Sequence, residues 1–205
     1  MRNSSRLFVK LFILIAAIFI SIQNLPLIES AAQGVTYSYP IITNNFTPDV
    51  IPSGGTSVLT VVLGNSNSFP VTLSSYPPAI SEPLPSGVYF ANPVNATSDC
   101  GITVTTIGTT LSLYGGVIPA ADGDNPGTCT VKVNVTSTSA GSTFIYTIPA
   151  SELVATDATG SINLTNQTKT DATIQVRTVQ PPSLSKAFNP NTRTVGASSL
   201  MSITI

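Results

Sequence analysis

Histidine and tryptophan are absent from the 205 residues, and charge is scarce, with eight basic and nine acidic side chains. Without histidine there is no Ser-His-Asp or Cys-His arrangement, and the commonest zinc ligand is missing. Without tryptophan, a sugar-stacking platform would have to come from Tyr37, Tyr39, Tyr76, Tyr89, Tyr114 and Tyr146, which are scattered along the chain. The few lysines and arginines form no basic patch for nucleic acid or anionic lipid. No tract holds the 3.6-residue apolar period over the length of a helix. The closest carboxylate pair, Asp122 and Asp124, lies in Asp-Gly-Asp-Asn-Pro-Gly. Aspartate is common in such turns because its side chain bonds nearby backbone. The pair also makes Asp122 and Asp124 the weak calcium candidates, without the downstream glutamate and spacing of an EF-hand loop. The expectation is a protein that is not an enzyme, with no catalytic residues, no cofactor and no dedicated metal site.

Long apolar runs are also few, and the main one is N-terminal. Arg2, Arg6 and Lys10 precede Leu11–Ile22, an almost unbroken apolar segment. Gln23, Asn24 and Pro26 end it, and Ser30-Ala31-Ala32 supplies small residues at a cleavage position. These are the parts of a secretory signal peptide, residues 1–32. The apolar core is too short to cross a bilayer about 30 Å thick. The expected product is secreted or on the cell surface, with no membrane span after cleavage. It keeps five basic and eight acidic side chains, a net charge of −3.

What is abundant is Thr, Ser, Val, Asn, Gly and Pro, the composition of short strands and turns. Val35–Thr43 reads as an edge strand, and Pro52-Ser53-Gly54-Gly55 turns the chain into the strand Thr56–Leu63. Gly64–Asn67 reads as the tight turn of a hairpin whose second arm is Phe69–Leu73. The proline-rich Tyr76–Gly87 crosses between sheets. Gly87–Ala91, Cys100–Ile107 and Thr109–Tyr114 follow as short strands. Thr128–Thr136 alternates most clearly, with Cys129, Val131, Val133 and Val135 on one face and Thr130, Lys132 and Asn134 on the other. Thr143–Ile148, Ile162–Leu164 and Ala172–Val176 complete the set. Eight or nine short strands with regular turns predict an antiparallel β-sandwich, with a barrel as the rival.

Cys100 and Cys129 are the two cysteines. In an exported chain an even count points to a bridge. Cys100 shares parity with Ile102 and Val104, and Cys129 with Val131, so both thiols are expected on the apolar face. Separate buried thiols are the alternative. A bridge over this loop would restrict the unfolded chain by roughly 3–4 kcal/mol.

Shifted by 142 positions, Leu184–Ile205 lies on Ile42–Leu63 without a gap. Phe188 falls on Phe46, Pro190 on Pro48, Gly196 on Gly54 and Ser199 on Ser57, while Met201, Ile203 and Ile205 fall on Leu59, Val61 and Leu63. A repeat of this length has the size of a domain. The expected organisation is a signal peptide over 1–32, one module over 33–180, and the truncated start of a second module over 181–205.

Several motifs strengthen this reading. They are Phe46-Thr47-Pro48, then Ile51-Pro52-Ser53-Gly54-Gly55-Thr56-Ser57, Leu84-Pro85-Ser86-Gly87-Val88, the Cys100 and Cys129 pair, and Tyr146-Thr147-Ile148-Pro149-Ala150. At the junction stands Pro182-Ser183-Leu184-Ser185-Lys186-Ala187-Phe188-Asn189-Pro190. In order and spacing the chain resembles the immunoglobulin-like tandem repeat modules of bacterial surface and secreted proteins, a domain-of-unknown-function family. The resemblance implies an all-β, immunoglobulin-like sandwich followed by the incomplete start of a second copy. It also implies a non-enzymatic stalk or adhesive role, with an extracellular protein or glycan and the neighbouring repeat modules as partners. A carbohydrate-binding module of a secreted protein is the alternative. Ala197 departs from the pattern, standing where the first copy has Gly55. Asn45, Asn95, Asn134, Asn163 and Asn166 head Asn-x-Ser/Thr sequons, which the bacterial resemblance makes incidental.

Overall fold

The computed structural model describes residues 36–205, so the expected signal peptide lies outside the described residues. In chain order the strands are β1 (Ile41–Thr47), β2 (Val50–Pro52), β3 (Thr56–Asn65), β4 (Val71–Leu73), β5 (Ile80–Pro83) and β6 (Tyr89–Phe90). Then come β7 (Thr97–Ser98), β8 (Thr103–Ile107), β9 (Thr110–Tyr114), β10 (Val117–Ile118), β11 (Gly127–Thr136) and β12 (Thr143–Ile148). The last five are β13 (Ala155–Asp157), β14 (Asn163–Leu164), β15 (Thr170–Arg177), β16 (Ser185–Asn189) and β17 (Leu200–Thr204).

The longest strands, β3 and β11, form the spine. They pair antiparallel over ten residues, from Asn65 opposite Gly127 to Thr56 opposite Thr136. β1 covers the other edge of β3, and β6 and β7 share the far edge of β11. Alternation along β11 buries Cys129, Val131, Val133 and Val135, and along β3 it buries Leu59, Val61 and Leu63. Three further sheets, in the orders β10-β4-β13-β14, β12-β15-β2 and β5-β9-β8, contribute Leu73, Ile118, Tyr146, Ile148, Ile174, Ile80 and Leu113 to the same continuous core. The result is an all-β, immunoglobulin-like sandwich, antiparallel except where β2 runs parallel to β15.

Three local expectations give way. The arm Phe69–Leu73 does not fold back on β3, because β1 and β11 already occupy both edges of that strand. Instead β4 joins β10 and β13. The buried Asn65 redirects the chain here: its Nδ2 donates to the carbonyls of Phe69 (2.8 Å) and Pro119 (2.9 Å), while Oδ1 accepts from Asn67 N (3.0 Å) and Nδ2 (2.8 Å). The first strand lies later than expected, at Ile41–Thr47, starting just after Pro40, which could not donate to a ladder. Within the proline-rich crossing, Ile80–Pro83 forms an edge strand against β9.

The hairpin β16–β17 repeats β1–β3 in geometry as well as sequence. Phe188 pairs with Met201 as Phe46 does with Leu59, and Asn189 with Leu200 as Thr47 does with Val58. Ser57 Oγ donates to the Pro48 carbonyl at 2.6 Å, and Ser199 Oγ to the Pro190 carbonyl at 2.6 Å. Gly54 and Gly196 hold the left-handed turn at φ 78 and 86. The next residue closes it, Gly55 N–H donating to Pro52 O (2.8 Å) and Ala197 N–H to Thr194 O (3.1 Å). A Cβ on Gly55 would stand 2.8 Å from the Pro52 ring. Thr194 brings no such ring against Ala197, while the carbonyl oxygen, 2.9 Å from a Cβ on Gly55, is common to both turns.

Candidate functional site

Two places in the sandwich gather polar chemistry. The first is the corner where β11 meets the turn before β8. β11 turns Cys129 into the core, fully buried, and Cys100 reaches it from the turn, where the two form a disulfide with Cα atoms 5.8 Å apart. Cys100 is not a strand residue: it sits at φ 58, half-buried, three residues before β8 begins. Its expected parity with Val104 therefore does not apply. The neighbouring Asp99 carboxylate accepts the Thr130 N–H at 2.6 Å, and the Cys100 carbonyl accepts from Val117 at 3.0 Å. Gly116 makes the approach possible, since a Cβ there would lie 2.8 Å from the Cys100 oxygen.

Asp99, Cys100 and Cys129 bring three ligand-type atoms within 4.8 Å of one another. Both sulfurs belong to the bridge, and Asp99 already holds a backbone amide, so this is a stapled corner of the fold. Beside it a shallow depression is lined by Thr97, Ser98, Asp99, Thr130 and Lys132. Lys132 is exposed, as its outward parity on β11 requires.

The second place joins Glu82, Glu152 and Tyr146. Glu82 shares its inward parity on β5 with Ile80, and the next inward residue, Leu84, is also buried. Glu152 Oε1 accepts the Ser81 N–H at 2.9 Å, which brings the second carboxyl alongside. Burial, and then the charge and hydrogen bond of Glu152, push Glu82 up to about 7. Tyr146 is 1 % exposed, and its hydroxyl has no hydrogen-bond partner among the described residues. Burial, followed by the two carboxylates, raises its pKa as well. Sequence reading missed the carboxyl pair because Glu82 and Glu152 stand 70 positions apart and neither sits in a motif.

The other sequence candidates are dispersed. Asp122 and Asp124 are exposed, in a turn closed by reciprocal backbone bonds between Asp122 and Asn125 (2.9 and 3.1 Å). Tyr76 is 92 % exposed, Tyr39 and Tyr89 about half, while Tyr146 is in the core. Asn166, a sequon residue, is 1 % exposed, and its amide is occupied by Pro149 O (2.7 Å), Thr168 O (3.0 Å) and Leu153 N (2.9 Å). It is a turn-organising residue and no glycan acceptor in the folded chain.

The fold and these sites define a class: a disulfide-stapled all-β module with a filled aliphatic core. The family model described as "Domain of unknown function (DUF7933)" matches residues 40–176, and the chain belongs to that family. No curated protein matches it. Among solved structures, the chain is similar to a non-cellulosomal cohesin from the hyperthermophilic archaeon Archaeoglobus fulgidus, at 12% identity and TM-score 0.45, covering 70% of this chain and 93% of that one. A cohesin module from a Clostridium perfringens family 33 glycoside hydrolase gives 11% identity and TM-score 0.43, covering 70% and 99%. The collagen adhesin of S. aureus gives 12% and 0.34, covering 68% and 49%. These are distant likenesses, and the fold assignment rests on the strand pairing described above.

Proposed function

We propose that this protein is a non-enzymatic structural and adhesive module of the bacterial cell exterior, one unit of a tandem series. Residues 33–180 are the first unit, and residues 181–205 open the next. The observation that carries the reading is the β16–β17 hairpin, which reproduces the β1–β3 register, turn and serine–proline hydrogen bond 142 residues later. Repetition of a whole sandwich is how extended arrays are built, with each unit spacing or presenting the next. The N-terminal Met1–Ala32 segment supports export, and a disulfide suits an oxidising compartment. The interior supports a scaffold role, since the inward positions of β3, β11 and β15 are mostly aliphatic, from Leu59, Val61 and Leu63 through Val131, Val133 and Val135 to Ile174 and Val176. The unit's partner is an extracellular protein or glycan met at the loop surface.

The purified exported protein tests this against a panel of glycosidase and esterase substrates at several pH values, and on a glycan array. The reading predicts no turnover and no sugar class whose binding is lost in Tyr76→Ala. Turnover abolished by Glu82→Gln would make the protein an enzyme. Reproducible sugar binding that depends on Tyr76 would make it a carbohydrate-binding module.

A further inference from the structure

Glu82 and Glu152 stand together without a basic partner, since the one ion pair among the described residues is Lys169–Asp171. Both glutamates are half-buried. Glu82 points inward from β5 between the buried Ile80 and Leu84. Glu152, in the short loop before β13, is held from two sides. Asn166 accepts the Leu153 N–H with its Oδ1 at 2.9 Å and the Ser151 N–H with its carbonyl at 2.7 Å, which fixes the backbone around the glutamate. On the other side, Val154 N–H donates to Ala79 O and Ser81 N–H to Glu152 Oε1, both at 2.9 Å, so the segment is laid along β5. One oxygen of Glu152 is used in this way, and the two carboxyl groups lie in hydrogen-bonding contact.

Tyr146 brings a third oxygen from another sheet. It is 1 % exposed on β12, and its buried hydroxyl bonds to no group among the described residues. That hydroxyl lies close enough to both carboxylates for each to raise its pKa. A phenol oxygen beside two carboxylates is a set of hard oxygen donors carrying a charge of −2. A bound water would satisfy the hydroxyl yet leave the two carboxylates opposed. A proton would relieve the carboxylates yet leave the hydroxyl unbonded. A divalent cation answers both.

We propose that Glu82, Glu152 and Tyr146 form a calcium site, in which the carboxylates neutralise the ion, the phenol oxygen is a neutral ligand on the core side, and water completes the shell on the half-exposed side. The donors are all oxygen, with no nitrogen or sulfur to select a transition metal. They come from a strand, a loop and a second strand, which builds no octahedral cage. Calcium accepts such irregular, carboxylate-rich shells, whereas magnesium demands near-ideal geometry and dehydrates reluctantly. The bound ion ties β5 and β12 to the loop leading into β13, elements of three different sheets. It is a cross-brace of the sandwich, distinct from the exposed turn at Asp122 and Asp124.

This inference does not depend on the tandem-module reading, and its failure would leave that reading standing. The test uses the full exported chain, stripped of metal with EDTA and dialysed. Calorimetric titration with calcium chloride should show one ion per chain at a Kd of about 0.1–1 mM, the range of extracellular modules, and magnesium chloride should bind about tenfold more weakly or less. Glu82→Gln and Glu152→Gln should each weaken calcium about tenfold or more, because ligand charge sets the affinity. Asp122→Asn combined with Asp124→Asn should leave it unchanged. Terbium, a calcium substitute that emits when excited through a neighbouring tyrosine, reads the phenol directly. Its sensitised emission should be displaced by calcium and lost in Tyr146→Phe, a variant that keeps the shape of the core and removes a hydroxyl with no partner to lose. Absence of calcium binding up to about tenfold above that Kd range overturns the proposal. So does binding that survives in both glutamine variants, emission retained in Tyr146→Phe, or binding lost in the Asp122 and Asp124 double variant, which would place the ion in that turn.

Discussion

The backbone N–H of Ser81 donates to Glu152 Oε1 at 2.9 Å, and this bond holds a second carboxylate against the inward-facing Glu82. Glu82 is raised from 4.5 to about 7 by burial first and by Glu152 second. The folded chain therefore binds this proton more tightly than the unfolded chain. The stabilisation is complete below about 4.5 and is lost as pH rises to about 7. Thermal midpoints measured from pH 4.5 to 7.5 should fall across that window in the native protein. In Glu82→Gln the fall should be flattened, and in Glu152→Gln it should shrink. Because Glu82 is still partly solvated, solvent screening reduces the size of the effect. An unchanged slope in Glu82→Gln would assign the pH dependence elsewhere.

The two faces of β11 should respond differently to truncation. Val133 is 1 % exposed opposite Leu59, and Lys132 points to solvent. Val133→Ala should cost roughly 1–3 kcal/mol through lost burial and the cavity left behind. Lys132→Ala should stay within about 0.5 kcal/mol. Urea midpoints read the difference, and equal losses would contradict the assignment of faces.

Asn65 fills a position at which shape and hydrogen bonding are both demanded. Asn65→Ala removes the donors to Phe69 and Pro119 and the acceptor for Asn67. The expected loss is about 1–3 kcal/mol. Asn67 also exchanges bonds with Ser38 N (2.7 Å) and O (2.8 Å). Exchange at the Ser38 amide should therefore accelerate more in the variant than global destabilisation alone requires.

At the start of β11 a backbone contact leaves no room for a side chain. A Cβ on Gly127 would lie 2.0 Å from the Pro119 oxygen, whereas one on Gly64, in the paired strand β3, would meet nothing closer than 3.7 Å. Gly127→Ala should lower stability by about 1–3 kcal/mol or more, through the forced backbone shift. Gly64→Ala should be nearly neutral, within about 0.5 kcal/mol. Parallel denaturation of the two variants checks the contrast.

The parts legible in the sequence were those set by local period. Alternation in Thr128–Thr136 and in Ala172–Val176 gives the buried faces of β11 and β15 directly, because parity within one strand is a local property. Strand partners are another matter. Gly64–Asn67 announces a turn, but whether the chain returns along β3 depends on β1 and β11 having claimed its edges and on Asn65 reaching Pro119, 54 positions away. The parallel pairing of β2 with β15 is equally non-local. Cys100 shows the limit of parity, since the left-handed turn at Cys100 and Gly101 interrupts the period before β8. The Glu82–Glu152 pair left no signal, because one glutamate lies in a proline-rich crossing and the other in the short loop before β13.

In the proposed tandem organisation, the sandwich ending near Arg177 is a complete folding unit and the β16–β17 hairpin belongs to another. Every residue from Arg177 to Ile205 is exposed, and none contributes to the buried core. The most direct measurement is the urea unfolding midpoint of the exported protein with and without residues 181–205. The two chains should show the same midpoint and slope, with stabilities within about 0.5 kcal/mol of each other. A shortened chain that unfolds at clearly lower urea, or that loses cooperativity, would show that the hairpin is part of the first unit and that the sandwich is not complete without it.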